Sequence, residues 1–352
     1  MAFSRSLVVA TSALFLAFPA QAVGGSSELQ NVLKNTHKSP AYGYPTDFTR
    51  GIMPVSSTLF WSGVNPYPSQ FTLTMTIGEI SPFTQVFLNS GLPSKTLLTG
   101  RLCPTQALSK GCISTEADVW LYNGTLYVGH DESSLTEERT LESLYINPIL
   151  DVLERQNPKS RFLTSPTNNG VFDTDTSQTL YFFIDVKTAG PETFEAVISA
   201  LEPLRRQGYL TTLKNNKTLT EAPITVIGTG NTPYDMVGPV ADRDYFYDGP
   251  LSELSNSEYA DLTSLISPIA STSFTSAVGD LALSGGDTVL SEQQLEVLRS
   301  QISVAKERGI LSRYWGAPYY PIRARNLLWR TLIQEGVGLL NADDLDAAAT
   351  YF

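Results

Sequence analysis

The spacing of apolar and polar positions changes along this chain, and each change marks a predicted element. From 113 to 131 the string ISTEADVWLYNGTLYVGHD reads as two short strands joined by Asn123-Gly124, a pair suited to the positive φ angles of a tight hairpin turn. Residues 180–186 form a continuous apolar run of strand length. A helix is predicted over 191–207, where Phe194, Val197, Ile198, Leu201 and Leu204 keep helical spacing and Gly208 gives the stop. Short strands are predicted at 224–228, 245–248, 265–270 and 311–315. Ser291 opens another helix with Gln294 as its capping-box partner, and Leu295, Leu298, Ile302 and Ala305 form the buried stripe. Pro321 suits the first turn of a further helix, and 337–340 reads as a last strand. Repeated strand–helix units without a glycine-rich dinucleotide turn favour a (β/α)8 TIM barrel over a Rossmann fold.

The segment 56–102 breaks this rhythm. It has no sustained period of 2 or 3.6, and of its 47 residues only Glu79, Lys95 and Arg101 are charged. A structureless stretch this long is unusual inside a compact domain. It reads as an atypical insertion, either a genuine divergence or a misassigned exon.

Composition narrows the function. A net charge of −11 argues against a nucleic-acid partner, since phosphate backbones demand a basic surface. The first 22 residues predict a secretory signal peptide: Arg5, an apolar run from Leu7 to Phe18, then Ala20-Gln21-Ala22. That run is shorter than the about 20 residues needed to cross a bilayer. The expectation is therefore an exported chain without a transmembrane segment, with 23–352 forming one barrel domain. Export permits a bridge between Cys103 and Cys112, with Cys112 as a plain buried residue the alternative. It also makes Asn123 and Asn216, in the sequons Asn-Gly-Thr and Asn-Lys-Thr, candidates for N-glycosylation or simple turn residues.

Candidate chemistry gathers on the hairpin. Glu116 and Asp118 lie two apart on one strand, so their carboxylates share a face. The second strand ends at His130-Asp131. Two acids and an imidazole on neighbouring strand ends suit a metal-assisted reaction at a phosphate. A solvated surface hairpin is the bland alternative. A glycosidase is a poorer one, because its two acids should flank a bond rather than share a strand.

The E-A-D, hairpin and G-H-D series resembles the phospholipase-C-like phosphodiesterase superfamily, which includes glycerophosphodiester phosphodiesterases and sphingomyelinase D enzymes. The longer string GCISTEADVWLYNGTLYVGHDESSLTEERTLESLYINPIL, with FFIDVKT at 182–188, YPTDFTRGIMPV at 44–55 and VGLLNADDL at 337–345, is similar to the fungal altered-inheritance-of-mitochondria protein 6 family. The resemblance implies a TIM barrel acting on glycerophospho- or sphingophospho-diesters. It implies Glu116, Asp118 and Asp185 as ligands of Mg2+, with Ca2+ possible for such oxygen donors. It further implies His130 as a catalytic histidine and Trp315 as a substrate-pocket aromatic, with core packing the alternative for the tryptophan. Lys187 shares the face of Asp185 and is a candidate catalytic group that meets a phosphate oxygen, or a lysine that pairs with the carboxylates to hold the site together. Similar sequences carry a first histidine in an H-x-H-N-D-Y-W-like segment after the counterpart of IMPV. Here IMPV at 52–55 runs into 56–102 instead, and His37, the other histidine of the chain, precedes it. Activity impaired by that loss is the expectation, and a non-catalytic phosphate- or lipid-binding barrel is the alternative.

Overall fold

The alternation of strand and helix carries over into the computed structural model, which describes residues 107–108, 111–173, 175–281 and 290–351, together with the backbone of 72–76. The signal peptide, His37, Cys103 and IMPV fall outside the described residues, as does nearly all of 56–102. β1 (Thr72–Thr76) is followed by the hairpin β2 (Ser114–Tyr122) and β3 (Thr125–Val128). A π-helical turn, Glu142–Ile146, runs into α1 (Asn147–Gln156), and then come β4 (Leu180–Val186), α2 (Gly190–Ala200) and α3 (Glu202–Arg206). A small hairpin of β5 (Thr212–Lys214) and β6 (Thr218–Thr220) leads to β7 (Ile224–Gly230), β8 (Phe246–Pro250), β9 (Ile269–Ser273) and the short α4 (Phe274–Ala277). The last elements are α5 (Glu292–Glu307), β10 (Leu311–Trp315), α6 (Ile322–Gln334), β11 (Leu339–Asn341) and α7 (Leu345–Tyr351).

Eight of these strands form one curled parallel sheet. From β11 the order is β10, β9, β8, β7, β4, β2, and the backbone of β1 pairs with both β11 and β2. β3 adds antiparallel to the far end of β2. Thus a strand drawn from within 56–102 takes the place beside Glu116, with Thr76 in register with it. This resembles the predicted TIM barrel, although its helical layer is irregular. Only 3-10 turns, Leu251–Glu253 and Ser257–Tyr259, separate β8 from β9.

The elements follow their sequence signals closely, and the departures have local causes. Asn123 and Gly124 adopt φ of 50° and 78°, the left-handed pair a two-residue hairpin turn needs. The capping box of Ser291 and Gln294 is present. Pro321 stands just before α6, at its N-cap, rather than inside the first turn. The helix predicted over 191–207 divides at Leu201, because Pro203 has no N–H to continue the ladder. The strand predicted at 265–270 begins only at Ile269. Ile266 and Ser267 both donate to the Thr263 carbonyl, and Pro268 cannot donate at all.

Two apolar clusters fasten helices to the sheet. One joins β2, β4 and β7 to α1 and α2 through residues such as Phe182, Ile227, Leu153 and Phe194. The other joins β9 and β10 to α5 and α6 through Ala270, Tyr314, Leu298 and Leu328. Each fully buried side chain of this size contributes about 1.5–3 kcal/mol, so the strands are held firmly enough to place side chains on their inner face. Among the described residues no helix is long and apolar enough to cross a membrane.

Candidate metal centre

Three carboxylates meet on the inner face of the curled sheet. Glu116 and Asp118 project from the same face of β2, and Asp118 stands directly in register with Asp185 on β4. Each of the three can offer one oxygen to a common centre, with those oxygens within 4.8 Å of one another. Glu116 and Asp118 are buried. Such crowding is unfavourable unless cations answer it. Burial pushes the Asp118 carboxyl up to about 6, Lys187 opposes this, and Glu116 and Asp185 add to it. An all-oxygen set of buried, mutually repelling carboxylates fits a hard divalent cation.

Lys187 and His130 both face this group. The Lys187 ammonium lies 2.6 Å from Asp185 Oδ2 and 3.4 Å from Asp118 Oδ1. Burial alone would lower its pKa, but the two acids more than offset that and hold it above the usual value. His130 follows β3, with Nδ1 3.3 Å from Asp118 Oδ2 and a side chain 44% exposed. Gly129 makes its position possible: a Cβ there would lie 2.5 Å from Ser134 Oγ, and its carbonyl accepts from Trp120 Nε1 at 2.7 Å. Gly230 has a similar part on the other side. Its φ is +62°, and a Cβ there would fall 2.0 Å from Asp185 Oδ1.

Beneath the acids lies a feature the sequence reading missed. Arg313, on β10, is 1% exposed, and its Nη2 donates to Glu116 Oε2 across the sheet interior. Nε and Nη2 also donate to Asn341 Oδ1 at 3.1 and 2.9 Å, and the guanidinium carbon lies 4.4 Å from the ring centroid of Phe183. Asp248 Oδ2 is 3.9 Å from Nη1 and accepts from Thr229 Oγ1 at 2.9 Å. Burial pushes the Asp248 carboxyl up to about 7 against the pull of Arg313. The available signal was a charged residue inside SRYW, a strand otherwise fit for a covered sheet.

The remaining candidates are carried by other elements. Trp315 is 47% exposed at the end of β10, so the core alternative for it does not hold. Asn123 is exposed in the hairpin turn. Asn216 is exposed between β5 and β6, and its Oδ1 accepts from the buried Arg243 at 3.1 Å. Cys112 is buried just before β2.

The class to which this curled parallel sheet, with its acids and histidine, belongs is given by the family comparison: it is phosphodiesterase-like. Residues 101–248 match the AIM6-like phosphodiesterase domain, a span that includes Glu116, Asp118, His130, Asp185 and Lys187. The chain belongs to the altered inheritance of mitochondria protein 6 family. It is 48% identical to the altered inheritance of mitochondria protein 6 homolog of Arthroderma benhamiae, over 99% of this chain and 100% of that protein. It is 32% identical to altered inheritance of mitochondria protein 6 of Eremothecium gossypii and 33% identical to that of Zygosaccharomyces rouxii. Each of those alignments covers 70% of this chain and 65% of the relative. A phosphatidylinositol-specific phospholipase C from Listeria monocytogenes superposes with a TM-score of 0.35 at 11% identity, over 68% of this chain and 76% of that one. That likeness is too loose to bear on the chemistry.

Proposed function

We propose that this chain is a metal-dependent phosphoric diester hydrolase-like protein for glycerophospho- or sphingophospho-diesters, with turnover impaired by the missing first-strand histidine. The observation that carries the reading is the convergence of Glu116, Asp118 and Asp185 within 4.8 Å, with His130 and Lys187 against them. Complete closure of the sheet into a (β/α)8 barrel through β1 belongs to the same proposal. The three acids would hold one divalent cation, Mg2+ by donor type, and a bound cation would neutralise charge on the phosphate. Asp118 orients His130 through Nδ1, leaving proton exchange with the diester to Nε2. Lys187 keeps Asp118 and Asp185 side by side and presents a positive charge to the phosphate oxygens. Trp315 stands at the rim, exposed for contact with a substrate group.

His130 is the one histidine among the described residues, and a second proton-transfer group typically contributes about 10²–10⁴-fold in rate. Hydrolysis of a chromogenic phosphodiester should therefore be slower by that order than in a family member with both histidines, and should disappear in EDTA. Equal rates would remove the impairment. Phosphodiester binding with no turnover would favour the second reading, a non-catalytic phosphate- or lipid-binding barrel, which the missing histidine motivates.

Export is proposed from the first 22 residues and the two sequons. N-terminal sequencing of protein secreted by a eukaryotic host should begin at Val23, with glycan on Asn123 or Asn216. A cell-retained product that still begins at Met1 would overturn this.

A further inference from the structure

The loop that carries the chain from β10 to α6 is strongly apolar for a surface segment. Gly316, at φ +65°, turns the chain out of β10, and Pro318 and Pro321 keep it out of regular structure until α6 begins at Ile322. Of the ten large hydrophobic side chains exposed among the described residues, four (Trp315, Tyr319, Tyr320 and Ile322) fall within positions 315–322. Tyr319 and Tyr320 are 72% and 73% exposed, and Ile322 is 59% exposed. Single exposed apolar side chains are ordinary, but a cluster of this kind marks a surface that meets something other than water.

Charge and location indicate what it meets. Between 309 and 334 the charged residues are Arg313, Arg323, Arg325 and Arg330, with no acid, in a chain whose net charge is −11. Arg323 and Arg330 are exposed, and Arg325 Nη1 lies 2.7 Å from Asp344 Oδ2 of the turn before α7. Parallel pairings join β2, β4, β7, β8, β9 and β10, so the C-terminal ends of these strands lie at one end of the sheet. Trp315 ends β10, and Asp185 and Lys187 stand at the end of β4. The loop therefore leaves the sheet at the end that carries the three acids.

We propose that residues 315–323 dock on a lipid–water interface, from which the site takes a phosphodiester lipid. The docking surface stands on the loop alone, and its use in delivering substrate rests on the phosphodiesterase reading above. Trp and Tyr suit that boundary because each ring has an apolar body and a polar edge that keeps its hydrogen bonds to water. Ile322 enters the acyl boundary, and Arg323 meets lipid phosphates. A protein partner draws on the same aromatic residues, but the acid-free flank and the place at the site's end of the sheet favour a phosphate-bearing surface.

Co-sedimentation of the full chain with phosphatidylcholine vesicles tests this. The wild-type chain should pellet with the vesicles. Tyr319→Ser/Tyr320→Ser should partition at least about 10-fold more weakly, since the about 1.4 kcal/mol that tenfold represents is less than burial of one large side chain contributes. Phe162→Ser, which alters a side chain 79% exposed on the loop before β4, should bind like the wild type. A wild-type chain that stays in the supernatant, or a double variant that pellets as before, would overturn the proposal. So would a dimer that dissociates in the double variant, because the loop would then be the interface between two copies. Ile322→Ser takes the place of the double variant should that fail to fold. Hydrolysis of a soluble chromogenic diester without lipid should be equal in the wild type and the double variant, and a matching loss there would move the tyrosines into the site and overturn the docking role. Vesicle binding without turnover of any diester would support the docking surface and remove the phosphodiesterase reading, and turnover without vesicle binding would do the reverse.

Discussion

Asp118→Asn should weaken Mg2+ binding by more than the about 10–100-fold typical of outer-shell partners, because it removes the charge of a proposed direct ligand. Asparagine keeps the shape, so the sheet register and fold should survive. The same variant should behave in the opposite sense when no cation is added. The Asp118 carboxyl is pushed from its ordinary 3.8 up to about 6, chiefly by burial, so the folded state holds its proton more tightly than the unfolded chain does. Its contribution to stability is present below its ordinary value and is lost as pH rises through about 6. Asp118→Asn removes that loss, so melting temperatures in EDTA should fall less between those two pH values than in the wild type. Adding Mg2+ should raise the wild-type melting temperature by mass action and leave the variant unmoved. A variant that retains wild-type Mg2+ affinity by calorimetry would place the cation elsewhere.

The second large effect is a gain. Exchanging 56–102 for a shorter first-strand ending that carries a histidine and an acid should raise Mg2+-dependent phosphodiester hydrolysis by about 10²–10⁴-fold, the usual worth of a proton-transfer group. The backbone supports the location. Thr76 of β1 is in register with Glu116, so the end of β1 lies beside the acids. His130→Ala within the exchanged chain should return the rate to background, which ties the gain to a pair of histidines rather than to better folding. Strong turnover by the unexchanged chain that vanishes in His37→Ala would show that the missing group was supplied from the N-terminal side.

Local chemistry made much of this fold legible. Asn123-Gly124 dictates its own turn, the Ser291 box dictates its own helix start, and the apolar run at 180–186 has no other good use than a covered parallel strand. Glu116 and Asp118 could be paired by counting two along a strand, and Asp185 and Lys187 likewise. What stayed hidden depends on long-range contact or on single backbone groups. The ion pair of Arg313 with Glu116 joins residues 197 positions apart, and no local pattern announces it. The break at Leu201 and the late start of β9 each turn on one proline that lacks an N–H. β1 is hard to read because its alternation, Thr72-Leu73-Thr74-Met75-Thr76, lasts only five residues inside a long stretch with no sustained period.

The pairing of Asp118 opposite Asp185 makes the complete centre a product of strand assembly. Side chains alternate along a strand, so a one-residue slip of β4 would turn both Asp185 and Lys187 away and bring Ile184 and Val186 to face the remaining acids. The acid and the ammonium that answers it leave together or arrive together. A misassembled molecule therefore keeps Glu116 and Asp118 without the third acid, and added Mg2+ should favour the native register during refolding.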